Sequence, residues 1–250
     1  MMHTVHELSP KQREIREREE HILEIARQMF FEEGYYNLTM GKIAKRIHCA
    51  KGTVYLHFPC KEDIIVALAE RAHERRYVML QRAMAFRGSS RERLLAFSLA
   101  GEYYARLHPG DMLLMKTITR SFREKVSAER GKRFEELEQR IINYLMRMVH
   151  QAVTEGDLVL RPGSTVGRIV WGLWALADGG YGIVLSGVSL EALGIEDPWG
   201  MVASFTSKMA DSLGWKPLAS EWDYDATLKR IQREVFADEA RQLGEWPADA

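Results

Sequence analysis

The sequence predicts an all-α protein, and three observations carry that expectation. Strand-type alternation of apolar and polar residues is absent. The seven prolines fall mostly at element boundaries. Capping side chains stand just ahead of apolar residues spaced three and four apart.

Taken in order, Ser9-Pro10-Lys11-Gln12 opens the first helix: Ser9 is the N-cap, Pro10 sits in the first turn, and Gln12 closes a capping box. Ile15, Ile22, Ala26, Met29 and Phe30 share one face, and Gly34 ends the helix. Thr39 caps a short helix that turns Ile43, Ala44 and Ile47 inward. A turn at His48-Cys49-Ala50 leads into a second short helix, Lys51–Leu56. Lys61-Glu62-Asp63 opens a long helix to about Phe86, its acids set against the N-terminal dipole. Ser89 and Glu92 form another capping box. Later helices are expected over 90–107, 111–125, 128–155, 164–187, 198–213 and 223–243, the 198–213 helix capped by Asp197 before Pro198.

This layout divides the chain into an N-terminal part at 10–66, a larger helical part at 67–218, and a C-terminal acidic helix and tail at 219–250. The last segment holds eight acids against four bases and is expected to form an outer helix with a frayed end. The boundary is placed inside the helix that starts near Lys61, and no internal repeat is found.

A chain of 250 residues with 46% hydrophobic content can bury a substantial core. Its formal net charge is zero, so any contact with nucleic acid must come from a local patch. One exists: from Thr39 to Lys61 there are five Lys or Arg, two His, and no Asp or Glu. A basic surface on two short helices is what a phosphate backbone selects, which makes double-stranded DNA the expected partner. The apolar run at 169–188 has the length of a membrane span. However, Asp178 stands in its middle, at a cost of roughly 2.5–3.5 kcal/mol in a bilayer. A fully buried helix is expected there instead, with no membrane partner. Two cysteines and no apolar N-terminal run point to the cytoplasm.

The segment 39–58 has the makings of a helix-turn-helix, in which the second helix enters the major groove and the first crosses the backbone. Thr39, Ile43, Ala44, Gly52, Thr53, Val54, Tyr55, His57, Phe58 and Lys61 stand in the register of the TetR family of bacterial transcription regulators, which the chain resembles over roughly residues 20–66. Upstream, Ala26, Phe30 and Gly34 also fit. The resemblance implies that Thr39 caps the first motif helix and touches a phosphate, and that Tyr55, His57 and Lys61 contact the backbone. It implies that Lys51 and Thr53 reach the groove floor and that Gly52 permits close approach, while Lys42, Lys45 and Arg46 strengthen the local field. The turn departs from the family's Gly-Val-Ser. His48 is therefore expected in the left-handed conformation, and Ala50 leaves the second helix without a side-chain cap.

The resemblance further implies that the larger part binds a small effector and forms dimers. Tyr103, Tyr104, Met112, Met115, Phe122, Trp171, Trp174, Asp178 and Tyr181 are the candidate residues for a largely apolar or aromatic ligand. Helices near 164–187 and 198–213 are the candidate homodimer interface, with Gly167, Gly172, Ala175, Gly179, Gly182 and Ser186 allowing close packing. The expected function is a transcription repressor that binds a palindromic operator and leaves it when the ligand binds. The alternative is a structural or division-control protein on the same scaffold, governed by a protein partner. No phosphate loop, nucleophile elbow or helical His pair suggests an enzyme, and no cofactor is expected. The spacing of His48, Cys49, His57 and Cys60 fits no zinc pattern. Cys60 at a helix start invites a redox reading through a lowered thiol pKa, against a plainer capping role.

Overall fold

Side-chain caps set where the helices begin in the computed structural model, which describes residues 9–246. Ser9 accepts from the Gln12 N–H and Gln12 returns the bond, starting α1 (Pro10–Glu33). Thr39 caps α2 (Met40–Arg46), followed by α3 (Lys51–His57) and α4 (Lys61–Met84). The Ser89–Glu92 capping box opens α5 (Ser90–Leu107). Beyond lie α6 (Pro109–Thr117), α7 (Arg120–Arg123), α8 (Ala128–Glu155), α9 (Val166–Leu185), α10 (Pro198–Ser212), α11 (Tyr224–Glu234) and α12 (Ala237–Gln242). No strand occurs among the described residues, so the fold is all-α.

Two expected helices are broken. The 111–125 helix divides into α6 and α7 at Ile118-Thr119, a turn that lets Leu114, Ile118 and Phe122 enter one core. The 223–243 helix divides at Val235-Phe236. Ile231 and Phe236 are both fully buried, and residues five apart cannot share one face of an unbroken helix. The acidic composition describes only the outer side of this segment. The first eight residues and the last four, including the end expected to fray, lie outside the described residues.

The chain forms two units. One takes in the chain up to Ala72 together with Leu114–Glu136, and the other takes in His73–Leu113 with the chain from Leu137 on. The first is built on Ile22, Ala26, Met29, Ile43, Val54 and Phe58, joined by Leu114, Ile118, Phe122 and Phe134. The second centres on Trp215, which is fully buried. Its indole N–H donates to Ser90 Oγ at 2.8 Å, and Ser90 Oγ donates to Asp157 at 2.6 Å. The polar edge of this large side chain is thereby satisfied inside the core.

Within the second unit α10 packs on α9. A Cβ added at Gly172 would lie 2.5 Å from Met209 Cε, and one at Gly180 would lie 2.6 Å from Val202. Those two glycines allow the approach, whereas Gly179 faces open space and a Cβ at Gly167 would meet only Thr165 Oγ1, at 4.0 Å. Contrary to the expectation of a fully buried helix, α9 exposes Trp171, Trp174, Ile183 and Asp178. No helix of the described residues is long and apolar enough to cross a membrane.

Candidate nucleic-acid interface

The two motif helices are joined by hydrogen bonds that normally demand glycine. His48 has φ 54°, making it the one non-glycine residue with positive φ among those described. Its N–H donates to the Lys45 carbonyl at 3.3 Å, and the Cys49 N–H donates to the Ala44 carbonyl at 3.0 Å. This is a Schellman closure of α2, made by a histidine. Ala50 supplies no side-chain cap to α3, as the sequence implied. The Thr53 N–H instead donates to the Ala50 carbonyl at 2.9 Å.

Packing decides which face of α3 remains outside. Val54 is fully buried, and Phe58 nearly so, against the core of the first unit. Lys51, Gly52 and Tyr55 are exposed, and Thr53 is half-buried. Leu56 is 86% exposed, an apolar side chain on the same outward surface that sequence reasoning did not single out. Lys51 Nζ lies 5.6 Å from the Tyr55 ring centroid. Thr39 Oγ1 accepts from the Lys42 N–H at 3.2 Å, which leaves its hydroxyl proton available to a partner.

The charges sort differently from their order in the chain. Lys42 pairs with Glu33 at 2.8 Å, and Arg46 reaches both Glu32 and Glu33, at 3.0 and 2.8 Å. The Lys42 bond holds the Glu33 carboxyl below its ordinary value. The stretch free of acids is therefore braced by acids from α1, and two of its five cations are neutralised. Lys45 and Lys51 are exposed and have no acidic partner among the described residues. His57 Nδ1 lies 3.5 Å from Glu19. Lys61 Nζ sits 4.0 Å over the Tyr35 ring and donates to the Tyr35 carbonyl at 3.3 Å. Tyr35 in turn donates to Glu62 at 2.6 Å. Both His57 and Lys61 are thus held by the chain itself.

Behind the interface, Ser127 donates to Asp63 through its N–H at 2.8 Å and its hydroxyl at 2.5 Å. Cys60 Sγ donates to Asp63 and to the Lys125 carbonyl at 3.3 and 3.4 Å. Burial pushes this thiol up to about 11, with the Asp63 side chain adding to the shift. A raised thiol pKa does not favour the redox reading and suits the plainer structural role. No group of three or more His, Cys, Asp or Glu among the described residues could hold a metal ion.

The candidate effector residues fall in both units. Phe122 and Met115 belong to the core of the first unit, with Phe122 5.3 Å from the Tyr35 ring. The Tyr103 hydroxyl donates to Glu245 and accepts from Gln232, both at 2.9 Å, tying down the C-terminal segment. Tyr104 donates to Asp111 at 2.8 Å, Tyr181 donates to the Ser98 carbonyl at 3.2 Å, and Met112 is buried. Trp171 and Trp174 point outward, as does Asp178. Sequence reasoning missed Arg76, whose guanidinium is pushed down by burial and supported by the nearby Tyr181, Tyr104 and Asp178. Its signal was legible: Arg76 falls on the α4 stripe of Ile65, Ala69, Ala72, Leu80 and Ala83, all fully buried.

Comparison with known proteins agrees with this geometry. Residues 22–68 match the family model described as bacterial regulatory proteins, tetR family. An HTH-type transcriptional regulator of Staphylococcus aureus (strain USA300) is 37% identical over 59 residues, which cover 24% of this chain and 32% of the relative. The chain therefore spans about a third of the length of such curated relatives. A tetR-family regulatory protein from Rhodococcus RHA1 superposes with a TM-score of 0.60 at 16% identity, covering 79% of this chain and 97% of that one. The fatty acid degradation regulator FadR from Bacillus halodurans gives 0.57 at 17% identity, covering 81% and 96%. At such identities these structures show a shared fold.

Proposed function

We propose that the chain, whose residues 22–68 match the family of bacterial regulatory proteins, tetR family, is a transcription repressor rather than an enzyme. It acts in the cytoplasm, binds a palindromic operator as a homodimer, and leaves it when a small, largely apolar or aromatic effector binds the C-terminal unit. One observation carries the DNA reading. Lys51 and Tyr55 lie one turn apart on the exposed side of α3 with Thr53 half-buried on another flank, and none of the three makes a hydrogen bond or ion pair with another side chain among the described residues. Lys51 and Thr53 contact base edges, Tyr55 and Thr39 contact phosphates, and Gly52 lets the backbone come close. His57 and Lys61 contact phosphates from positions fixed by Glu19 and Tyr35.

Pairing runs through α9 and α10, whose exposed Trp171, Trp174, Ile183 and Phe205 supply the apolar surface an obligate interface needs. Two recognition helices can then meet successive major grooves about 34 Å apart. Tyr104, Met112, Tyr181 and the half-buried Arg76 are the effector-facing residues this reading favours. An effector alters DNA affinity only by binding one arrangement of the dimer better than another.

The deciding experiment sequences the duplex fragments retained from a random pool, with and without lipophilic effectors. An enriched inverted repeat that is lost on addition of one effector is the expected result. Retention with no sequence enrichment would overturn the operator reading.

A further inference from the structure

Packing on one side of α3 decides what stands on the other. Val54 is fully buried and Phe58 is 2% exposed, whereas Leu56, between them in sequence, is 86% exposed. Successive helical residues turn about 100° around the axis, so Leu56 stands roughly 160° from Val54, close to the outermost line of the helix. Two residues lie one turn before it. Gly52 has no side chain, and a Cβ added there would meet nothing within 4 Å. Thr53 is half-buried. The leucine therefore projects beyond its neighbours on its own stripe.

Nothing in the fold needs an apolar residue there, because Val54 and Phe58 already tie α3 to the core of the first unit. A single exposed leucine is ordinary on a protein surface. This one shares its helix with Lys51, which is exposed and has no acidic partner among the described residues, and Lys45 on α2 is in the same condition. Unpaired cations on a helix-turn-helix select the phosphates of a duplex. The floor of the major groove carries hydrogen-bonding groups and one apolar feature, the 5-methyl of thymine.

We propose that Leu56 is a specificity-determining residue that packs against a thymine 5-methyl in the major groove. The inference rests on the operator reading above and deepens it. Lys51 and Thr53 sort bases by their hydrogen-bonding edges. Leu56 adds a contact that no hydrogen bond supplies, and it favours a T·A pair at one fixed place in each half-site.

Deoxyuridine tests this, because uracil keeps every hydrogen-bonding group of thymine and lacks only the methyl. In the duplex that the wild-type chain enriches from a random pool, each symmetry-related pair of thymines is replaced in turn. Affinities are measured for the wild type, Leu56→Ala and Leu56→Met, each checked for native circular dichroism. At one pair the wild type is expected to lose about tenfold in affinity, on the scale of two methyl groups returned to water. Leu56→Ala should bind the unmodified duplex no better than the wild type binds the replaced one, and should lose little further on replacement. Leu56→Met, apolar and of similar volume, should keep most of the sensitivity. A wild type indifferent to every replacement overturns the proposal, and so does a sensitivity that Leu56→Ala retains in full. Both results leave the operator reading intact, because a preferred duplex is still bound. No enrichment of any duplex removes the two together.

Discussion

The Cys49 N–H bonds to the Ala44 carbonyl at 3.0 Å across His48, a residue held at φ 54°. The closing bonds of the turn are thus kept while the residue that usually makes them easy is absent. A left-handed conformation costs a non-glycine residue roughly 1–2 kcal/mol, and glycine's freedom in the unfolded chain returns part of that. His48→Gly should therefore stabilise the N-terminal unit by about 0.5–1 kcal/mol. Ala50→Ser should add about 1 kcal/mol by capping α3. Denaturant unfolding followed by circular dichroism measures both; a loss of stability in His48→Gly would contradict this account of the turn.

In the proposed function Lys51 reads sequence and Tyr55 contacts the backbone. Lys51→Ala should relax preference at particular base pairs, with a discrimination of about 1–3 kcal/mol lost at each contacted position. Tyr55→Phe should weaken binding evenly across sequences and leave the preferred site unchanged. Affinities over a panel of single-base operator variants separate the two patterns, and identical profiles for both substitutions would refute the assignment.

Trp171 is 68% exposed on α9, where the proposed pairing would bury it. Trp171→Asp should reduce the molar mass in light scattering to the 28.8 kDa of one chain. Affinity for a full inverted repeat should then fall to that for a half-site. A variant that still runs as a dimer places the interface elsewhere.

Acid should loosen the C-terminal segment through Glu239. Burial alone would raise this carboxyl, but the bond from Arg82, at 2.5 Å, outweighs it and holds the group below 4.5. A carboxyl depressed in the folded state stabilises fully above its unfolded value. That stabilisation is lost as pH falls through the lower folded value. Glu239→Gln should thus cost stability near neutrality, and the gap to wild type should narrow as pH falls through and below the ordinary carboxylate range. Unfolding free energies measured along that range check the sign, and a gap that widens in acid would reverse it.

Local chemistry was legible in the sequence wherever neighbours along the chain decide the outcome. Ser9, Thr39, Ser89 and Asp197 each cap the helix that their spacing announced. The strained His48 followed from a missing glycine. What escaped depends on distance in space. The acid-free stretch gave no sign that Glu32 and Glu33 return to Lys42 and Arg46 across a helix pair. The break before Phe236 is set by a tertiary core rather than by a breaking residue. Asp178 read as buried because its neighbours are apolar, yet Trp171, Trp174 and Ile183 on the same helix are exposed as well.

The placement of Trp215 makes the protein its own two-channel reporter. All six tryptophans lie at position 171 or later, so indole fluorescence watches the C-terminal unit and is blind to the helix-turn-helix. Trp215, enclosed and bonded to Ser90, should emit towards the blue, and the exposed Trp171 and Trp174 towards the red. Any event that covers the exposed pair, or that melts one unit without the other, should leave its own spectrum, with no dye attached.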